Sequence, residues 1–193
     1  MRNARFAAFF ALLLAWMPLS AAPELSRSLV LVAKPELHDP LYGRSVLVVA
    51  PFGNDQHVGF IVNRPTDLTL GKIFPEHGPS QKVLDPVFLG GPIDASAIFA
   101  LVPQADSPGG KSVQIMPGLF AVIDAPTVDR IIEANPEDAR FVAGLVVWRP
   151  GELRREVELG AWHVMASDPA LATREPEGLW EELVQRMQSG RAI

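Results

Sequence analysis

Three short stretches bring together residue types that could do chemistry. "HDPLYGRS", His38 to Ser45, holds a base, a carboxylate, a cation and a hydroxyl within eight residues. "GFIVNRPTDL", Gly59 to Leu68, halts a run of strand-forming residues on Asn63, Arg64 and Pro65, and "VFLGGPI", Val87 to Ile93, sets Gly90 and Gly91 before Pro92. The first stretch suggests a hydrolase or transferase with Ser45 as nucleophile and His38 and Asp39 behind it. It lacks a Gly-x-Ser-x-Gly elbow, however; Asp39-Pro40 suits a turn, and Ser45 opens an apolar run as the first residue of a strand.

The second stretch reads as an anion clamp. Pro65 cannot donate to a sheet ladder and biases Arg64 to extended geometry, so a strand ends there and projects Arg64 to a defined side. A guanidinium fork in that place suits carboxylate or phosphate. The plainer alternative is a strand-end turn whose arginine reaches solvent or pairs with a carboxylate. In the third stretch the N–H groups of Gly90 and Gly91 could cradle an anion, although a Gly-Gly-Pro turn equally makes a bend between strands. No Walker lysine and no Gly-x-Gly-x-x-Gly accompanies it. His38, His57, His77 and His163 have no metal-ligand spacing and read as surface or satisfied half-buried residues; no cofactor is expected. With no cysteine, thiol catalysis, thiolate metal sites and disulfides are excluded.

These residues must be positioned by strands. "SLVLVA" (Ser28 to Ala33) and "SVLVVA" (Ser45 to Ala50) are short β-branched runs bounded by Pro and Gly, as buried strands are. "PFGND" then leads into "HVGFIV", which predicts a hairpin over 51–56 with Gly53 and Asn54 at its positive-φ positions. In that register Arg44 begins one strand and Arg64 ends its antiparallel neighbour, so both lie at one end of the sheet. The candidate ligand-binding set is therefore Asp39, Arg44, Asn63, Arg64, Gly90 and Gly91, with Asp39 as internal counter-ion. An Asp39–Arg44 or Asp39–Arg64 salt bridge pinning the loop is the purely structural version of the same cluster.

Further strands are expected over 86–90, 97–102, 112–116, 119–123, 141–148 and 162–166. Helical periodicity appears over 126–134, with Asp124 near its cap, over 150–159, with Arg154 and Glu158 paired, and in the last segment, where Trp180, Leu183, Val184 and Met187 share a face behind Glu175 and Glu177. A weaker short helix covers Leu70 to Phe74. Trp148 and Trp162 bracket the helix expected over 150–159, as core residues or as the walls of a pocket.

The first 22 of the 193 residues, with Arg2 and Arg5 before an apolar run and small residues from Ser20 to Ala22, read as a secretory signal peptide. The run, Phe6 to Met17, is 12 residues, too short to span a bilayer. Residues 23–193 are then a single periplasmic or secreted domain; a start at Met17 would make it cytoplasmic. The formal net charge of −5 becomes −7 once the leader's two arginines go. That balance disfavours nucleic acid as a partner.

"HDPLYGRSV", "VGFIVNRP" and "VFLGGPI", in this order, are similar to the YqgE/AlgH family of bacterial proteins, which typically shows an Asp-Pro-x-Phe-x-Arg-Ser-Val segment, a Val-Asn-Arg-Pro turn and a Gly-Gly-Pro-Val turn. The matching positions are Asp39, Pro40, Arg44, Ser45 and Val46, then Val62 to Pro65, then Gly90 to Ile93. The resemblance implies an α+β fold: a strongly bent, mainly antiparallel sheet closed into a pseudo-barrel with about three packed helices. It brings no accepted catalytic mechanism, and some members carry a label as transcriptional regulators. The chain departs from the family over Gly144 to Arg154, "GLVVWRPGELR", where only Gly144, Trp148, Gly151 and Leu153 match the usual glycine-rich segment. A non-enzymatic domain binding a small anionic ligand or an envelope protein is the function this reading favours.

Overall fold

The computed structural model describes residues 24–190. The leader read over residues 1–22 lies outside them. Ten strands and four helices follow in chain order: β1 (Leu29–Ala33), β2 (Val46–Pro51), β3 (His57–Ile61), β4 (Pro65–Thr69), α1 (Leu70–Ile73), β5 (Pro86–Leu89), β6 (Ile93–Pro103), β7 (Ser112–Met116), β8 (Leu119–Val122), α2 (Ala125–Ala134), β9 (Arg140–Trp148), α3 (Glu152–Glu158), β10 (Trp162–Ala166) and α4 (Leu179–Gln188). The sheet runs β10-β1-β2-β3-β9-β6-β8-β7, with β4 on β5 and β5 parallel to β9. All other pairs are antiparallel. The sheet curls into a half-barrel, and the fold is α+β as expected. Among the described residues no helix is long and apolar enough to cross a membrane.

Strands β1 and β2 are apolar at nearly every position because both faces of the sheet are covered. Val30, Val32, Val46 and Val48 face the inside of the curl with Phe60, Ile115, Leu119, Leu171 and Leu183. Their neighbours Leu29, Leu31, Leu47, Val49 and Ile61 face outward under Leu153 of α3 and the two tryptophans, Trp148 and Trp162. A third cluster packs Leu70 of α1 and Val128 and Ile132 of α2 against β5, β6 and β9.

The hairpin over 51–56 forms with Gly53, Asn54 and Asp55 all at positive φ, and β2 and β3 pair in the register Leu47↔Ile61 to Pro51↔His57. Helix α2 is capped by Asp124, whose side chain accepts from the Thr127 N–H. Two local expectations are corrected. Arg154 does not pair with Glu158 along α3 but reaches Asp55 in the hairpin at 3.2 Å. Helix α4 starts after Gly178, so Glu175 and Glu177 precede it, and the acids of its first turn are Glu181 and Glu182.

Strand β4 was not expected, since Pro-Thr-Asp-Leu-Thr has neither apolar alternation nor a full set of donors. It pairs on one side only, with β5, through an irregular register, and Thr66 Oγ1 adds a bond to the Val87 carbonyl at 2.6 Å. An edge is where a proline-led strand can sit.

Candidate functional site

The halt at Asn63-Arg64-Pro65 is a change of partner. Val62 N–H still donates to the Val46 carbonyl at 2.9 Å. At the next position the Asn63 side chain replaces the backbone: its Oδ1 accepts from the Val46 N–H at 2.8 Å and its Nδ2 donates to the Arg44 carbonyl at 3.0 Å. An amide carries one donor and one acceptor group side by side, so Asn63 can mimic a peptide unit at the end of the β2–β3 ladder. The main chain is released, and the Arg64 carbonyl accepts instead from Leu89 N–H of β5 at 2.8 Å.

Arg64 is half-buried and turned back onto the loop before β2, donating to the Pro40 carbonyl at 3.0 Å and the Gly43 carbonyl at 2.9 Å. Asp39 is not its counter-ion, nor that of Arg44. The Asp39 carboxylate accepts from the N–H groups of Leu41 and Tyr42, both at 2.8 Å, and so ties its own turn. The loop is pinned by neutral carbonyls on the arginine and by backbone donors on the aspartate, in place of the expected salt bridge.

Arg44 and Arg64 do converge. Both line an open cleft of about 410 Å³ together with Asn63, Trp180 and Glu181. Arg44 adopts a left-handed backbone (φ 60), an unfavoured state for a residue with a Cβ, which the surrounding turn must hold. Its exposed side chain lies over the Trp180 ring, 4.8 Å from the centroid, and pairs with Glu181 of α4. Trp180 is itself anchored by its indole N–H on the Ala33 carbonyl at 2.7 Å. One exposed cation on an anchored aromatic ring, next to a second guanidinium held by its loop, makes a surface suited to an anionic group.

Gly90 and Gly91 lie elsewhere and do another job. Gly90 sits between β3 and β9, accepting from Ile61 N–H and donating to the Ala143 carbonyl, each at 2.8 Å. A Cβ there would stand 2.3 Å from the Gly144 carbonyl oxygen, and one on Gly91 would stand 2.2 Å from the Leu145 carbonyl carbon. Neither lines the Arg44 cleft. Their need for glycine is the close approach of two backbones.

The hydrolytic grouping does not assemble. Ser45 is fully buried and its hydroxyl donates to the Tyr42 carbonyl at 2.6 Å, while His38 is exposed with Nδ1 on the Glu36 carbonyl. His57 departs from the expectation for the histidines: it is buried, its Nε2 must donate to the Leu25 carbonyl at 2.8 Å, and its Nδ1 has no partner among the described residues. Among the described residues no three His, Asp or Glu side chains gather as metal ligands.

Trp148 and Trp162 are core residues joined by one carboxylate. Their indole N–H groups both donate to Glu156 Oε2, at 3.0 and 2.8 Å. Tyr42 packs edge-on to Trp162. Burial first, and then the Glu156, Asp39 and Glu152 carboxylates, push the Tyr42 phenol above its ordinary value.

The comparisons with known proteins fit this architecture. A family model described as AlgH-like (DUF179) matches residues 30–191. The chain belongs to the AlgH-like family. It is 32% identical to a UPF0301 protein of Thermobifida fusca, covering 81% of this chain and 84% of the relative. A UPF0301 protein of Streptomyces coelicolor is 29% identical, over 85% of this chain and 88% of that one. The solution structure of the AlgH protein of Pseudomonas aeruginosa superposes with a TM-score of 0.70 at 22% identity, covering 90% and 93% of the two chains. The residues matched by the family model take in both the clip at Asn63 and the helix that carries Trp180.

Proposed function

We propose that this AlgH-like chain is a non-catalytic binding domain that works outside the cytoplasm and receives an anionic group, on a small ligand or an envelope protein, in the cleft between the Asn63–Pro65 turn and α4. One observation carries the reading. Arg44 holds a left-handed backbone while its side chain stays exposed, stacked on Trp180 and paired with Glu181, inside a cleft that a second guanidinium lines. Glu181 is a surface carboxylate and an exposed pair of this kind is worth little, so an incoming carboxylate can replace it at small cost. The charged leader and apolar run at the N-terminus support export. The acidic balance favours this reading over a DNA-binding regulator started at Met17, which would need a phosphate-contacting face.

The test has two arms. Cells expressing the gene with a C-terminal tag are fractionated and the product is weighed; a periplasmic chain shortened by about 22 residues is expected, and a cytoplasmic product beginning at Met17 overturns export. Succinate is then titrated calorimetrically. Glu181→Gln is expected to tighten succinate binding and Arg44→Ala to abolish it with the thermal midpoint nearly unchanged. Equal binding by both variants overturns the site.

A further inference from the structure

A second cleft, of about 310 Å³, has Pro65 and Pro176 in its lining in common with the Arg44 cleft. Arg140, at the start of β9, is placed in it. Its guanidinium is stacked 4.0 Å from the Phe88 ring centroid and donates to the Val62 carbonyl at 2.7 Å and the Arg174 carbonyl at 2.8 Å. The position is thus fixed by an aromatic face and two neutral acceptors, and among the described residues Arg140 forms no ion pair. Two of its five N–H donors are accounted for by these bonds. Burial lowers the guanidinium's pKa, while the nearby carboxylates of Glu175 and Asp85 oppose that shift without touching it. A half-buried cation left without a contacting carboxylate, with donors to spare at a cavity, calls for an anionic group from outside.

The rim has the opposite sign. Asp85, Glu137 and Glu175 are exposed and line the same cleft. Three carboxylates around one guanidinium repel phosphate or a dicarboxylate, and the guanidinium disfavours a simple amine. Phe88, Pro65 and Pro86 give the remaining wall an apolar surface. The volume equals about ten waters at the liquid density, enough for one amino acid.

We infer that this cleft binds a small zwitterion of the α-amino acid type, its carboxylate on Arg140, its ammonium between Asp85 and Glu175, and its side chain against the Phe88–Pro86 wall. The site is separate from the Arg44 cleft and stands whether or not that cleft binds anions.

Backbone amide resonances of the ¹⁵N-labelled protein would be followed while glycine, L-leucine or L-arginine is added to about 10 mM, a range that detects millimolar affinity. The controls are 4-methylpentanoate, which lacks the ammonium of leucine, 3-methylbutylamine, which lacks its carboxylate, and inorganic phosphate. At least one amino acid is expected to shift resonances around Arg140, Glu175 and Phe88 in a saturable way, and to bind about tenfold more tightly than any control. The double variant Asp85→Asn, Glu175→Gln changes only exposed side chains, so it should fold; it is expected to lose that tenfold preference while 4-methylpentanoate binds as before or better. No shift with any of the three amino acids overturns the proposal, as does equal or tighter binding of phosphate. A preference that survives the double variant overturns the assignment of the ammonium.

Discussion

Residue types that looked chemical in this chain divide into those that hold backbone and those that face a cleft. Asn63 stands in for a peptide unit, Asp39 ties its own turn, and Gly90 and Gly91 let β9 pass within contact of the β5 end. The glycine role has a sharp consequence. A methyl group at residue 90 would meet the Gly144 carbonyl oxygen at 2.3 Å, and its other close neighbours belong to Val142. Gly90 also bridges β3 and β9 through both of its backbone groups, so the strands cannot part without losing ladder bonds. Gly90→Ala is therefore expected to cost about 3 kcal/mol, at the upper end of overpacking, measured by urea unfolding. A loss below about 1 kcal/mol would show that β9 can yield. No ligand enters the comparison, because the position is packed against strand and not against a cleft.

At the scale of elements, the sequence is most informative where periodicity and turn chemistry agree. The hairpin at Gly53-Asn54 and the strands β1, β2, β7 and β10 are legible because short, mostly apolar runs there are flanked within a few residues by turn-forming Gly, Pro, Asn or Asp. Strand β4 is not, because its pairing comes from β5 and not from its own residues, and α4 is legible as a helix but not at its start, which Gly178 sets and the preceding glutamates do not. The clip at Asn63 was legible as a stop; that its side chain would complete a ladder depends on the 17-residue separation from Val46 closing in space, which no local pattern encodes. Arg140 gave no signal, since an arginine opening an apolar strand looks like any edge residue. Glu156 gave none either, though it fixes α3 to β9 and β10 through two indole N–H groups. Glu156→Ala leaves both buried donors without an acceptor and is expected to destabilise by about 3 kcal/mol, whereas Glu156→Gln keeps a carbonyl oxygen there and should cost about 1 kcal/mol. Urea unfolding followed by tryptophan emission distinguishes them; equal costs would mean that α3 is held by Leu153 alone.

For the whole molecule, chain order and sheet order are far apart. Strand β1 pairs with β10 in the register Leu29↔Ala166, and the Trp180 indole reaches the Ala33 carbonyl across 147 residues. Strand β9 then joins β3 to β5 and β6, so the two halves of the sequence share one sheet and neither encloses a core of its own. Long-range pairing of this kind must pay loop-closure entropy before it is rewarded, which slows folding. Two measurable results follow. Calorimetric unfolding should give one transition whose van't Hoff and calorimetric enthalpies agree, and a chain ending before Trp162 should lack cooperative unfolding altogether, because β1 loses its outer partner and the inner face of the curl loses Leu171, Leu179 and Leu183. Refolding of the intact chain is expected on the order of seconds, as for other sheets dominated by distant pairs. A truncated chain that still melts cooperatively would show that β2, β3 and β9 form an independent unit. If the truncation stays unfolded, the last strand and helix act as the closing piece, and the chain remains open until its C-terminal end is available.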